Sequence, residues 1–154
     1  MERKFQITSD ELRLQAKGSS CRQGYLNLDK DRTVRVRTID EMGFITIKGI
    51  SKGAVRDEFE YEIPLADADA LLSTLCHQPI IEKTRYRIAY EGFTWEVDAF
   101  AGANQGLIIA EIELEQEDQS FEKPAWIGDE VTGVSKYYNV NLVARPFSKW
   151  EKPG

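Results

Sequence analysis

Apolar and polar residues alternate with a period of two along most of this chain, the mark of half-buried β-strands. The alternation predicts strands over Lys4–Thr8, Gly24–Leu28, Thr33–Ile39, Gly43–Gly49 and Val55–Ile63, the last ended by Pro64. Asp29-Lys30-Asp31 and Asp40-Glu41-Met42-Gly43 supply tight turns between antiparallel neighbours. From Asp67 to Cys76 the period changes: Leu71, Leu72 and Leu75 recur at helical spacing, with Asp67 as a suitable cap. Strands resume at Ile80–Tyr90, Phe93–Phe100 and Leu107–Glu115, with Glu91-Gly92 turning the first hairpin. Beyond them the pattern is irregular, with helical character over Gln116–Glu122 and near Ser135–Val143. Eight strands and few helices predict a mainly β (α+β) fold, an antiparallel barrel that is closed or nearly closed, with short helices.

Five of these strands carry like charges two residues apart: Arg35-Val36-Arg37, Glu60-Tyr61-Glu62, Lys83-Thr84-Arg85, Glu96-Val97-Asp98 and Glu111-Ile112-Glu113. Residues i and i+2 of a strand share one face, so each segment presents a charged pair on one side and bulk on the other. Two explanations compete. A solvated sheet face tolerates the pattern, since like charges about 7 Å apart repel by only about 0.6 kcal/mol in water. In a recessed site, at an effective dielectric of about 20, the repulsion rises to about 2.4 kcal/mol and calls for counter-charge or metal. If the segments share one face, the basic rows suit a polyanion and the acidic rows suit divalent cations. Parity alone leaves open which face points inward.

With 154 residues the chain is expected to form a single domain over 1–154, large enough for its own core. A net charge of -6 argues against a nucleic-acid-binding surface, so any anion site must be a local basic cluster. The apolar runs are too short to span a bilayer and Met1-Glu2-Arg3-Lys4 does not open a signal peptide, so no membrane role and a cytoplasmic location are expected. Cys21, Cys76 and the single histidine, His77, are too few for a structural zinc site and are read as reduced thiols and a surface or capping imidazole. No P-loop and no Gly-x-Ser-x-Gly elbow occurs.

An ordered set of segments then becomes recognisable. It runs through Glu2-Arg3-Lys4-Phe5, Arg35-Val-Arg37, Thr46-Ile-Lys48-Gly49, Glu60-Tyr-Glu62-Ile63, Glu82-Lys83-Thr84-Arg85-Tyr86 and Glu96-Val-Asp98-Ala-Phe100-Ala-Gly102. It continues with Ala110-Glu111-Ile-Glu113, Trp126-Ile-Gly128-Asp-Glu130-Val131-Thr132 and Tyr137-Tyr-Asn139. Together they resemble the CYTH family, the triphosphate tunnel metalloenzymes, in its short bacterial form. The resemblance implies an eight-stranded closed antiparallel barrel whose charged residues point into a tunnel, with short helices packed outside.

Carried over residue by residue, the resemblance implies that Lys4, Arg35, Arg37, Lys48, Lys83 and Arg85 bind phosphate oxygens, with Lys136 near a further basic position. It implies that Glu2, Glu111 and Glu113 bind metal, with Glu60, Glu62 and Asp98 holding a second cation or positioning water. Such oxygen ligands suit Mg²⁺ or Mn²⁺. Lys83 is also the catalytic candidate, assisting the attacking water if its pKa is depressed, with simple phosphate binding as the competing role. The family motif has a further glutamate two positions before Glu2, where this chain begins at Met1. A start site placed too far downstream is favoured over a shortened motif, because the rest is intact.

The implied activity is metal-dependent hydrolysis of a small-molecule triphosphate, most simply tripolyphosphate to pyrophosphate and phosphate. Alternatives are a class IV-type adenylate cyclase, a nucleoside or thiamine triphosphatase, or a non-catalytic polyphosphate or nucleotide sensor. Tyr25, Trp95 and Trp126 are assigned to packing. Exposed apolar strand faces make a homodimer a reasonable assembly.

Overall fold

The computed structural model describes residues 2–9, 17–29, 31–52, 55–116 and 118–150. Its strands are β1 (Glu2–Ile7), β2 (Gly18–Tyr25), β3 (Thr33–Ile39), β4 (Met42–Lys52), β5 (Val55–Ile63), β6 (Ile81–Tyr90), β7 (Phe93–Phe100), β8 (Ile108–Glu113) and β9 (Ile127–Glu130). They form one sheet in the order β5-β4-β3-β2-β6-β7-β8-β1-β9, with antiparallel pairing throughout. Among the described residues two α-helices accompany it, α1 (Leu65–Thr74) and α2 (Asn139–Ala144). No described helix is long and apolar enough to cross a membrane.

The mainly β antiparallel architecture holds, with two corrections. There are nine described strands rather than eight, and no described ladder joins β5 to β9, so the sheet curls without closing. The ninth strand has four residues, Ile-Gly-Asp-Glu, with no hydrophobic alternation to announce it, and meets β1 through an irregular register.

Strand β2 runs Gly18–Tyr25, not Gly24–Leu28. Its first residues are small or polar, so they give no period-two signal. The segment after Tyr25 is a loop in which Asn27 substitutes for the ladder: its amide donates to Arg32 O at 2.8 Å and its carbonyl oxygen accepts from Val34 N at 3.0 Å. Helix α1 begins at Leu65 behind Pro64, whose carbonyl accepts from the backbone N–H groups of Asp67 and Ala68, both at 3.0 Å. Asp67 therefore sits in the first turn, where its charge favours the helix dipole, instead of capping. No helix forms among the described residues of the 116–122 segment; Phe121 instead packs edge-on against Phe5 and Trp95.

Apolar bulk covers the convex face in two places. Phe5, Trp95, Val97 and Ile112 pack under Phe121 and Trp126, while Val36 packs under Ala68, Leu72 and Cys76 of the α1 segment. Gly24 and Gly43 permit that second contact: a Cβ on Gly24 would lie 2.9 Å from Leu72 Cδ2, and one on Gly43 2.8 Å from Ala68 Cβ. The third cluster lies on the concave face. Tyr25, Ile81, Phe100 and Ile109 meet Val131, Tyr137, Leu142 and Val143, so the C-terminal segment stops one end of the curled sheet. The tail residues Phe147 and Trp150 pack against this plug.

Candidate functional site

Directly opposed residues of an antiparallel ladder share a face, so the register can be followed around the concave side. Glu60 opposes Thr46, Thr46 opposes Arg35, and Arg35 opposes Tyr25. On the other flank Arg85 opposes Asp98, Glu96 opposes Glu111, Glu111 opposes Lys4 and Glu113 opposes Glu2. Every charged pair singled out in the sequence therefore shares one surface, which settles the question that parity left open.

That surface encloses a cavity of about 610 Å³. Its walls include Glu2, Lys4, Arg35, Arg37, Lys48, Glu60, Lys83, Arg85 and Glu111 from the expected set. Asp98 lies behind Lys83 and Arg85, 1% exposed. Glu62 and Glu113 share the strand faces of Glu60 and Glu111 but are exposed and outside the lining. Lys136 also stands outside it, with its ammonium 4.6 Å from the Trp150 ring centroid and 5.4 Å from that of Tyr137.

The cavity recruits residues that sequence reasoning did not place there: Glu58, Gln23, Tyr25, Thr33, Thr132, Gly133, Tyr138 and Asn139. Glu58 has the parity of Glu60, which was signal enough. Thr132 and Asn139 ended recognised segments, but nothing local says that the C-terminal segment folds back over one end of the curled sheet.

The deepest charges form a triad. Lys83 Nζ donates to Asp98 Oδ2 at 2.8 Å, while Arg85 donates from Nε to Oδ1 at 2.7 Å and from Nη2 to Oδ2 at 2.9 Å. Burial alone would raise the Asp98 pKa, but Lys83 and Arg85 outweigh it and pull the carboxyl down to about 2. The Arg85 guanidinium is held above its usual range: burial opposes its charge, and Asp98, Glu96 and Glu111 overcome that opposition.

The facing wall is looser. Arg37 Nη2 donates to Glu60 Oε1 at 3.1 Å, the Thr46 hydroxyl donates to the same oxygen at 2.9 Å, and Arg35 Nη2 stands 3.9 Å from it. Lys48 Nζ is 3.8 Å from Glu58. The Nε–H groups of Arg35 and Arg37 are buried without a hydrogen-bond acceptor, a state that favours an anion drawn into the cavity. Burial, joined by the charges of Arg35 and Arg85, lowers the Arg37 pKa, and Glu60 offsets this only in part.

On β1 and β8, Lys4 Nζ lies 4.0 Å from Glu2 and 3.7 Å from Glu111. Burial first, then the Glu2 charge, push the Glu111 carboxyl up to about 7 against the pull of Lys4. Two carboxylates in this strained relation fit a hard divalent cation, whose charge relieves their repulsion and whose retained waters complete an oxygen shell. Among the described residues no three Asp, Glu, His or Cys side chains converge into a cage of their own.

Residues 1–147 match the CYTH domain. The chain is 51% identical over 152 residues to the inorganic triphosphatase of Acetivibrio thermocellus, covering 99% of this chain and 97% of that protein. It is 35% identical over 125 residues to the inorganic triphosphatase of Nitrosomonas europaea, covering 79% and 82%. Among solved structures, it superimposes on the crystal structure of an inorganic triphosphatase with a TM-score of 0.70 and 32% identity, covering 93% of this chain and 96% of that one.

Proposed function

The chain belongs to the CYTH family, and we propose that it is a divalent-metal-dependent inorganic triphosphatase that hydrolyses tripolyphosphate to pyrophosphate and phosphate. The observation that carries this reading is six cations lining one cavity of an otherwise acidic chain, two of them with buried N–H groups that have no acceptor.

Lys4, Arg35, Arg37, Lys48, Lys83 and Arg85 hold the phosphate chain, the arginines by paired N–H groups and the lysines as point charges. Asp98 acts at one remove, keeping Lys83 and Arg85 aimed into the cavity, since all three of its hydrogen bonds go to them. Lys83 is thereby favoured as a phosphate ligand over a base. Glu58 and Glu60 serve as counter-ions that yield the cations of β3 and β4 when phosphate enters.

Glu2 and Glu111 would hold Mg²⁺ or Mn²⁺, with Glu113 next on the same strand face; when bound, the ion would supply Lewis-acid stabilisation of charge on the phosphoryl oxygens. The attacking water approaches a terminal phosphorus in line with the bridging oxygen, on the side of the cavity that Glu2 and Glu111 line. Water adds to that phosphorus and gives up its proton to solvent, the bridging P–O bond breaks, and the leaving pyrophosphate takes the electron pair against the cations.

The test is phosphate release from tripolyphosphate with Mg²⁺, with Mn²⁺ and with EDTA, alongside cyclic AMP formation from ATP. Metal-dependent phosphate release without cyclic AMP is expected; no release with either metal, or cyclic AMP as the main product, overturns the reading. The same reading takes the cytoplasm as the compartment. It takes a homodimer as the assembly, formed through the exposed Ile47, Phe59 and Tyr61 of the β4–β5 hairpin, which sedimentation measures.

A further inference from the structure

Strand β9 is an edge of the sheet, and its register on β1 ends at Phe5 and Glu130, just short of Lys4. Beyond that point a side chain continues the attachment. The Lys4 backbone N–H donates to the Thr132 hydroxyl at 2.9 Å, while the Lys4 carbonyl accepts from Val131 N–H at 2.8 Å. The Thr132 hydroxyl in turn donates to Glu130 Oε2 at 2.7 Å. Arg3 grips the same carboxylate as a fork, donating from Nε to Oε2 at 2.8 Å and from Nη2 to Oε1 at 2.6 Å. Its guanidinium also lies 5.0 Å from the Phe121 ring centroid and 5.7 Å from that of Phe5. Lys4 and Thr132 line the cavity, whereas Arg3 and Glu130 stand outside it.

We propose that Glu130, held by Arg3, is a positioning residue that sets the aim of Lys4 at the phosphate chain, acting through the Thr132 hydroxyl. This rests on the preceding reading of the cavity as a triphosphate site. An ionised carboxylate only accepts, so the single hydroxyl proton of Thr132 is committed to Glu130 and its oxygen turns a lone pair to the Lys4 N–H. The Arg3 hydrogen bond, working against burial and seconded by Thr132, holds the Glu130 carboxyl down to about 2, so this polarity persists at neutral pH. Lys4 has need of such a device. Its ammonium is a point charge on a flexible stem, 4.0 Å from Glu2 and 3.7 Å from Glu111, so the placement of its backbone decides how it meets a phosphate oxygen. Arg3 and Lys4 are adjacent on β1 and point to opposite faces, so a fork stacked on aromatic rings outside the sheet fixes the residue that faces the cavity.

Glu130→Ala removes the grip at a side chain that is 35% exposed, where the loss of an ion pair lowers Tm by about 2–4 °C at most. Its calorimetric affinity for tripolyphosphate, measured in EDTA, should fall about tenfold, the size of one hydrogen bond between charged groups. Thr132→Val should show the same loss, and Thr132→Ser, which keeps the hydroxyl, should bind as the wild type does. In steady-state assays with Mg²⁺, KM should rise more than kcat falls. The deciding comparison is made in Lys4→Ala, where adding Glu130→Ala should weaken binding no further. Full additivity of those two substitutions overturns the proposal, and so does undiminished affinity in Glu130→Ala. A loss in Thr132→Val with none in Glu130→Ala also overturns it, by making Thr132 a phosphate ligand in its own right. Wild-type protein that binds tripolyphosphate without releasing phosphate counts against the hydrolase reading alone, because the affinity series is read without turnover.

Discussion

On the β6–β7 wall, Asp98 is 1% exposed and holds Lys83 and Arg85 by three hydrogen bonds, the longest 2.9 Å. On the β3–β5 wall, the Glu60 side chain is 38% exposed and holds Arg37 by a single bond of 3.1 Å. Both walls are written in charges two residues apart, yet the depth of the acid makes one a fixed frame and the other an exchangeable set. Water screens the Glu60 contacts and competes for them, while the triad works in a medium where charges interact several times more strongly. Incoming phosphate can therefore displace Glu60 readily, but it meets Lys83 and Arg85 already in position.

The sharpest way to break this contrast is Asp98→Asn. Buried Lys83 loses its counter-ion while half-buried Arg85 keeps only Glu96 and Glu111, and removing one partner of a buried ionic group typically costs about 3–5 kcal/mol. Denaturant unfolding should show a loss of that order, with phosphate release falling at least tenfold. The wild-type protein should show the same dependence through pH. A carboxyl depressed to about 2 stabilises the fold above its ordinary value of 3.8, and that stabilisation disappears as pH falls through about 2. A drop no larger than that of Glu60→Gln would remove the distinction between the walls.

Glu111 offers the opposite case of a buried carboxyl. Its pKa is raised from 4.5 to about 7, so its contribution to folding is fully favourable below about 4.5 and is lost as pH rises through 7. The shift corresponds to at most about 3 kcal/mol. In EDTA, wild-type Tm should decline between pH 5 and 8 relative to Glu111→Gln, and Mn²⁺ should restore it only in the wild type. Parallel pH curves for the two proteins would show that Glu111 is not under electrostatic strain.

How far these walls were legible depends on periodicity. Lys83, Arg85, Glu60 and Glu111 stand in strands whose alternation is visible, so their shared face followed from i, i+2 spacing, and the family resemblance chose the inward direction. The partners of Asp98 did not follow. Its hydrogen bonds to Lys83 and Arg85 depend on the register of β6 against β7, which one dimension does not show. Gln23 was missed for another reason: the small and polar residues at the start of β2 hide that part of the strand, whereas Tyr25 lay in an expected strand, was assigned to packing, and does belong to the apolar plug. Lys136 was drawn to the site by position in a segment, whereas Tyr137 and Trp150 stack on its ammonium outside the cavity.

Arg37→Ala probes the exchangeable wall from its basic side. The guanidinium has a buried N–H without an acceptor and a pKa lowered chiefly by burial, so the empty protein gains little from it. Tripolyphosphate should gain more. We expect kcat/KM to fall about tenfold to a hundredfold, the range for charge-assisted hydrogen bonds, with Tm nearly unchanged. A large loss of stability would place Arg37 with Lys83 and Arg85 as part of the frame.

The smallest effect is expected from Glu60→Gln. The substitution leaves an oxygen that can still accept from Thr46 and Arg37, so the geometry at 2.9 and 3.1 Å has a neutral replacement. Half-exposed ion pairs contribute up to about 1 kcal/mol, and denaturant midpoints should move by no more than that. Removing the carboxylate also removes the competitor for Arg35 and Arg37, so tripolyphosphate measured in EDTA should bind more tightly in Glu60→Gln than in wild type. If Glu60 instead holds a cation needed by the phosphate chain, adding Mn²⁺ will reverse that order and leave the variant with the weaker affinity. Tighter binding under both conditions identifies Glu60 as the counter-ion that yields, and it gives the loose wall its purpose: cations kept charged and soluble until phosphate arrives.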